Sequence, residues 1–199
     1  MKQEYYYQNP LCHYRTLELV MGKQFSIIEP VGPGCTSGCP LCFANRSRDD
    51  EILVSGDCFE NLTDKMFINE TTESTIPERE EEVSSFYKRL PGKRNVLNVI
   101  SRFPNSLRKT LAISDVQRFD MVIVQIAYTG FNDDYSRKWE PMKETASQRL
   151  RGIKNLIDDG YEVSVRFEPL YPKYQNREDV LDVLESLYRI GICHRTTET

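Results

Sequence analysis

No apolar run in this chain is long enough to cross a bilayer; the most apolar windows, such as Met121 to Ala127, fall far short of a spanning helix. The first residues, Met1 to Tyr7, lack the apolar stretch of a secretory signal. Membrane insertion and secretion are not expected, and a cytoplasmic, reducing location follows. Net positive charge is missing too: the formal charge is −4, so no overall field draws the chain to nucleic acid. The local basic groups, Arg102, Arg108 and Lys109, then Arg149 and Arg151, read as solvated helix faces. Internal repeats and low-complexity tracts are absent.

What is there is ordinary in bulk. The 199 residues are 39% apolar and 28% charged, enough for one domain with a real core. We read residues 1–24 as an N-terminal segment, with Tyr5-Tyr6-Tyr7 packed rather than displayed, and 25–195 as the core. Six short β-branched or apolar runs read as strands: Phe25 to Val31, Met66 to Asn69, Asn95 to Ile100, Met121 to Tyr128, Tyr161 to Phe167 and Ile190 to His194. Helical patterns fall between them. Pro77 to Leu90 opens on Pro and a run of Glu and stops at Pro91-Gly92. Ser106 to Ile113 is shorter. Glu144 to Asp159 ends at Gly160, and Arg177 to Arg189 ends before Gly191. This alternation predicts an α/β chain with a parallel sheet and helices outside it. Residues 44–64 read as a long irregular connection.

Six cysteines in a reducing compartment point to metal or redox chemistry rather than a disulfide framework. Three of them, Cys35, Cys39 and Cys42, form a C-x3-C-x2-C loop directly after the first strand. Gly34 and Gly38 let its backbone wrap a bulky group without Cβ clashes. A structural zinc site wants four ligands, so a fourth would have to come from Cys12, His13, Cys58 or Cys193. A 4Fe-4S cluster takes one thiolate per iron, so three thiolates hold three irons and leave the fourth open to another ligand. The loop also lies at the carboxyl edge of the sheet, where α/β proteins place their sites. Cys12, Cys58 and Cys193 are scattered and read as bystanders.

The loop spacing, the aromatic Phe43 after its third cysteine and its place after the first strand resemble the radical S-adenosylmethionine (SAM) superfamily. Further segments resemble its spore photoproduct lyase-like group: Phe67 to Glu78 with Thr71-Thr72-Glu73, Asn98 to Asn105 with Ser101-Arg102, and Trp139 to Pro172 with Glu140-Pro141 and Arg166-Phe167-Glu168-Pro169. The likeness covers most of residues 25–172. A Gly-Gly-Glu turn after the second strand is absent, and Thr71 to Glu73 stands in its place. The group's substrate-proximal cysteine or tyrosine has no match.

The resemblance implies a partial (β/α)6 TIM-like barrel of the radical SAM type, minimal and without a C-terminal extension. It implies that Cys35, Cys39 and Cys42 ligate a 4Fe-4S cluster, that S-adenosyl-L-methionine is the cosubstrate, and that flavodoxin or ferredoxin supplies electrons. A partner chain completing the barrel is a further expectation. The reaction would be of lyase, oxidoreductase or transferase type on a nucleic acid lesion or nucleotide, a peptide or a small molecule. Glu73 either takes the methionyl ammonium or caps the 77–90 helix. Ser101 and Arg102 either bind carboxylate or ribose or form a solvated turn. Gln125, polar within an apolar strand, either meets adenosine or makes an internal hydrogen bond. Arg166 either contacts ligand or pairs with a neighbouring carboxylate. The competing class is a non-enzymatic zinc or iron–sulfur module whose three-cysteine claw is structural.

Overall fold

The computed structural model describes residues 5–7, 23–30, 39, 63–69, 73, 75–128, 130–141, 143–167, 176–192 and 195–197. Their strands form one sheet in which spatial order equals chain order: β1 (Tyr5–Tyr7), β2 (Gln24–Glu29), β3 (Lys65–Asn69), β4 (Val96–Ser101), β5 (Met121–Tyr128), β6 (Glu162–Phe167) and β7 (Arg195–Thr197). β1 lies antiparallel on β2, and every later neighbouring pair is parallel. All six residues of β4 are buried, as a strand covered on both faces requires.

The helices carry their own start and stop signals. A 3-10 turn at Pro77–Arg79 leads into α1 (Glu80–Arg89), with Glu80, Glu81 and Glu82 at its positive end and Lys88 and Arg89 at its negative end. α2 spans Pro104–Ile113, with Pro at its first position. Asn132 caps α3 (Asp133–Trp139) by accepting from Tyr135 N at 2.8 Å. Thr145 and Gln148 form a reciprocal capping box on α4 (Ala146–Asp158). α5 (Arg177–Arg189) starts on Asn176, which accepts from Glu178 N at 3.0 Å. α4 and α5 end alike. Gly160 (φ +88°) and Gly191 (φ +96°) turn left-handed, while Tyr161 N and Ile192 N reach back to Leu156 O and Leu187 O at 3.1 and 3.0 Å.

Val83 and Phe86 of α1, Leu107 and Leu111 of α2, Ile153 and Leu156 of α4, and Val183 and Leu187 of α5 share one core with Phe67, Leu97, Val99, Val124, Ile126 and Val165 of the sheet. These four helices therefore cover the same sheet face, and the strand order never reverses. That is the singly wound arrangement of a barrel rather than the doubly wound one with a switch point. The chain is thus a mixed α/β protein with a parallel sheet, consistent with a partial TIM-like fold. Among the described residues the sheet edges are β1 and β7, and no pairing joins them.

Several expectations change. The last strand is not at 190–194: Ile190 and Gly191 complete the end of α5, Ile192 is buried beneath it, and β7 begins at Arg195. The glycine that ends the helix needs Ile192 beyond it to close the turn, which displaces the strand. Helix α3 and strand β1 add to the expected set. In α3, the Asn132 cap and a first turn with Asp133 and Asp134 were the legible signals. Trp139 is half-buried at the end of α3, its ring 6.0 Å from that of Tyr135. Most of the 44–64 connection lies outside the described residues.

Candidate functional site

The turns after β3, β4 and β5 meet at the carboxyl edge of the sheet, and a linked set of polar side chains joins them. Glu73 follows β3. Its Oε1 accepts from Thr75 Oγ1 at 2.7 Å and from Ser101 Oγ at 3.0 Å, and its Oε2 accepts from the backbone N of Arg102 at 2.6 Å. Ser101 Oγ also lies 2.5 Å from Thr75 Oγ1 and accepts from Phe103 N at 2.8 Å. Ser101 and Thr75 are fully buried. Glu73 therefore clamps the end of β4 rather than capping the 77–90 helix, whose N-cap is Ile76 and has no side-chain bond. Nor is Ser101-Arg102 a solvated turn. A carboxylate offers about four acceptor positions, and among the described residues three of them are used and one on Oε2 is left.

The set continues through charge. Arg102 Nε lies 2.9 Å from Glu140 Oε1, and Arg149 Nη1 lies 2.9 Å from Glu140 Oε2. The second contact is an ion pair rather than an aligned hydrogen bond, since neither atom has a hydrogen-bond partner of proper angle. Arg149 Nε also donates to Arg102 O at 3.3 Å, and its guanidinium sits 5.5 Å over the Tyr128 ring. Burial works to raise the Glu140 pKa, but Arg149 and Arg102 outweigh it and hold the carboxyl below its ordinary value. Arg149, expected on a solvated helix face, is fully buried. A guanidinium can enter this core because Glu140, Arg102 O and the Tyr128 ring all meet it there. Arg108 and Lys109 do lie exposed, as expected.

A second carboxylate ties α2 to the segment before α4. Glu144 accepts from Asn105 N at 3.0 Å and Asn105 Nδ2 at 2.5 Å, and burial raises its pKa against those bonds. Tyr128, at the end of β5, donates to Ala146 O at 2.6 Å, and burial pushes its phenol well above the ordinary range.

The expected site residues are thus partly gathered. Glu73, Ser101 and Arg102 form one cluster. Gln125 and Arg166 lie on β5 and β6, with Gln125 beside Ile100 and Ser164, and Arg166 beside Ala127. Gln125 is half-buried and makes no side-chain hydrogen bond among the described residues; Arg166 is buried. Of the cysteine loop, Cys39 is described and is buried at 8% exposure. Cys35 and Cys42 lie outside the described residues, as do Cys12, Cys58, Cys193 and Glu168. No group of three potential metal ligands occurs among the described residues, and no described helix is long and apolar enough to cross a membrane. Sequence reasoning underrated Glu140 and Arg149. Their signal was a Glu-Pro step before a helix whose apolar stripe contains an arginine.

No protein-family model matches this chain, and no curated protein matches it in sequence. Solved structures of three spore photoproduct lyase variants, one with bound dinucleoside spore photoproduct, align with it at a TM-score of 0.49 and 11% identity. The alignments cover 66% of this chain and 39% of each of those chains.

Proposed function

We propose that this protein is a radical SAM enzyme. The C-x3-C-x2-C loop carries the reading: in chain order it follows β2, the first of six parallel strands, and Glu73, Ser101 and Arg102 converge at the carboxyl edge of that sheet. Three thiols from one short loop suit a 4Fe-4S cluster with one iron open, and the burial of Cys39 suits a ligand screened from water. Cys35, Cys39 and Cys42 would hold the cluster. When bound, it supplies the electron that splits the sulfonium C–S bond of S-adenosyl-L-methionine and so yields the 5′-deoxyadenosyl radical that takes a hydrogen atom from substrate.

The chain's own groups bind and orient. Glu73 keeps one carboxylate position for the cosubstrate's ammonium while its other bonds fix the β3 and β4 ends. Arg102 offers its guanidinium to carboxylate or ribose, held in place by Glu140. Gln125 faces the adenosine side with its amide unused, and Arg166 closes the β6 end. The lyase-like outcome, the electron donor and a partner chain belong to the same proposal.

The test is anaerobic reconstitution with iron and sulfide, followed by S-adenosyl-L-methionine and dithionite. The expected result is a brown protein with about four irons per chain that releases 5′-deoxyadenosine. Cys39→Ala should lose both properties. Colourless protein carrying one zinc would instead establish a structural claw.

A further inference from the structure

Arg149 is the largest of the fully buried side chains among the described residues. Taking a guanidinium out of water is costly, and buried ion pairs can often give way to apolar residues of similar volume without loss of stability. The neighbouring positions on α4, Leu150, Ile153, Leu156 and Ile157, supply such apolar packing. Packing alone therefore gives no reason for an arginine at 149, and its own polar atoms gain little: neither Nη1 nor Nη2 has an aligned hydrogen bond.

What Arg149 does reach is Arg102 and the group that holds it. Its Nε donates to Arg102 O at 3.3 Å, and its Nη1 lies 2.9 Å from Oε2 of Glu140, whose Oε1 lies 2.9 Å from Arg102 Nε. Glu73 takes the backbone N of Arg102 from the other side at 2.6 Å. Arg102 is thus fixed at its N–H, its carbonyl and its guanidinium, and two of those three restraints run through Arg149. The Arg102 side chain keeps 27% of its surface exposed, whereas Arg149 keeps none. A side chain with no accessible surface cannot touch a ligand, so any effect of Arg149 on binding passes through Arg102.

We propose that Arg149 is a positioning residue for S-adenosyl-L-methionine: it holds Arg102 ready for the carboxylate or ribose and so sets how tightly the cosubstrate binds. This rests on the radical SAM reading and on the part Arg102 plays in it. A long guanidinium side chain ordinarily loses rotamer freedom on binding, and one already held in place loses less. The carboxylate and ribose lie away from the C–S bond that breaks. Contact with them is uniform binding, whose loss raises KM and leaves kcat nearly unchanged.

Two readouts test this. The first needs no iron: in the full-length 15N-labelled chain the Arg102 Nε–H signal, assigned by its loss in Arg102→Lys, should exchange slowly with water. In Arg149→Met it should exchange about tenfold faster or more, while the backbone amide spectrum stays that of the folded parent. The second is equilibrium dialysis of S-adenosyl-L-methionine against reconstituted, unreduced protein, followed by 5′-deoxyadenosine kinetics with dithionite. Arg149→Met should raise Kd and KM about tenfold with kcat within about twofold of the parent. In an Arg102→Met background the same substitution should change Kd no further, whereas a merely structural role would add its effect. Arg149→Lys keeps a cation beside Glu140 and loses the bond to Arg102 O. It carries the test where the methionine variant does not fold, with a smaller rise in Kd. Arg149 loses this role if its replacement leaves the Arg102 signal and Kd unchanged, or shifts Kd equally with and without Arg102. A parent chain that releases 5′-deoxyadenosine while Arg102→Met keeps the parent Kd overturns the positioning role and leaves the enzyme reading standing. A parent chain that neither binds nor cleaves S-adenosyl-L-methionine overturns both.

Discussion

Arg149 and Glu140 form a buried ion pair, Nη1 to Oε2 at 2.9 Å, with side chains 0% and 4% exposed. Because Glu140 also holds Arg102 at 2.9 Å, the pair fixes both the start of α4 and the end of β4. Glu140→Ala leaves two guanidinium groups uncompensated and should cost about 3–5 kcal/mol in urea unfolding. Arg149→Met keeps the Arg102–Glu140 contact and should cost clearly less. Equal losses for the two variants would refute the central place of Glu140.

The same carboxyl gives a pH signature. Its folded pKa is depressed, chiefly by Arg149 and then Arg102 against the opposing effect of burial, so its contribution is present above the unfolded Glu value and lost as pH falls through the lower folded value. Acid unfolding followed by circular dichroism should show stability dropping in that window. In a Glu140→Gln variant this part of the drop should vanish.

Glu144 acts with the opposite sign. Burial raises its folded pKa, so its stabilisation is full below the unfolded Glu value and is lost as pH rises through the folded value. Glu144→Gln should flatten this loss, improving relative to the parent chain as urea midpoints are measured from acid toward neutral pH. A constant difference across that range would exclude the charge as the cause.

Gly152 on α4 packs against the first residues of α2. A Cβ there would meet Pro104 Cβ and Cγ at 2.8 Å. Alanine is the better helix former by about 1 kcal/mol, yet overpacking at this crossing should outweigh it and give a net loss of about 1–3 kcal/mol. A raised melting temperature for Gly152→Ala would show that the two helices can move apart freely.

Asp115 adopts a left-handed backbone with φ +52° on the exposed turn after α2. That conformation strains a non-glycine residue, and Asp115→Gly should stabilise by about 0.5–1 kcal/mol after the entropy of glycine is counted. Thermal unfolding of the variant checks this directly.

Much of the fold was legible because its signals are local. β5 and α5 fall where apolar runs and helical stripes put them, and Gly160 and Gly191 stop their helices because a left-handed turn favours glycine at those positions. β7 was misplaced for a related reason: the turn after Gly191 takes Ile192 for helix closure, which the apolar run Ile190 to Cys193 conceals. The three-cysteine loop is proposed as a donor set on its spacing, and of its thiols Cys39 lies among the described residues.

The sequence by itself determined the strand and helix alternation and the residues that cap and stop the helices, all of which depend on residues close in the chain. Only the tertiary structure decided the partners of Glu73, Glu140 and Arg149. Glu73 meets Ser101 and Arg102 across 28 and 29 positions, and Arg149 reaches Arg102 O across 47. No periodicity records such distances, because charged side chains look solvated in sequence until packing removes water and leaves them only each other.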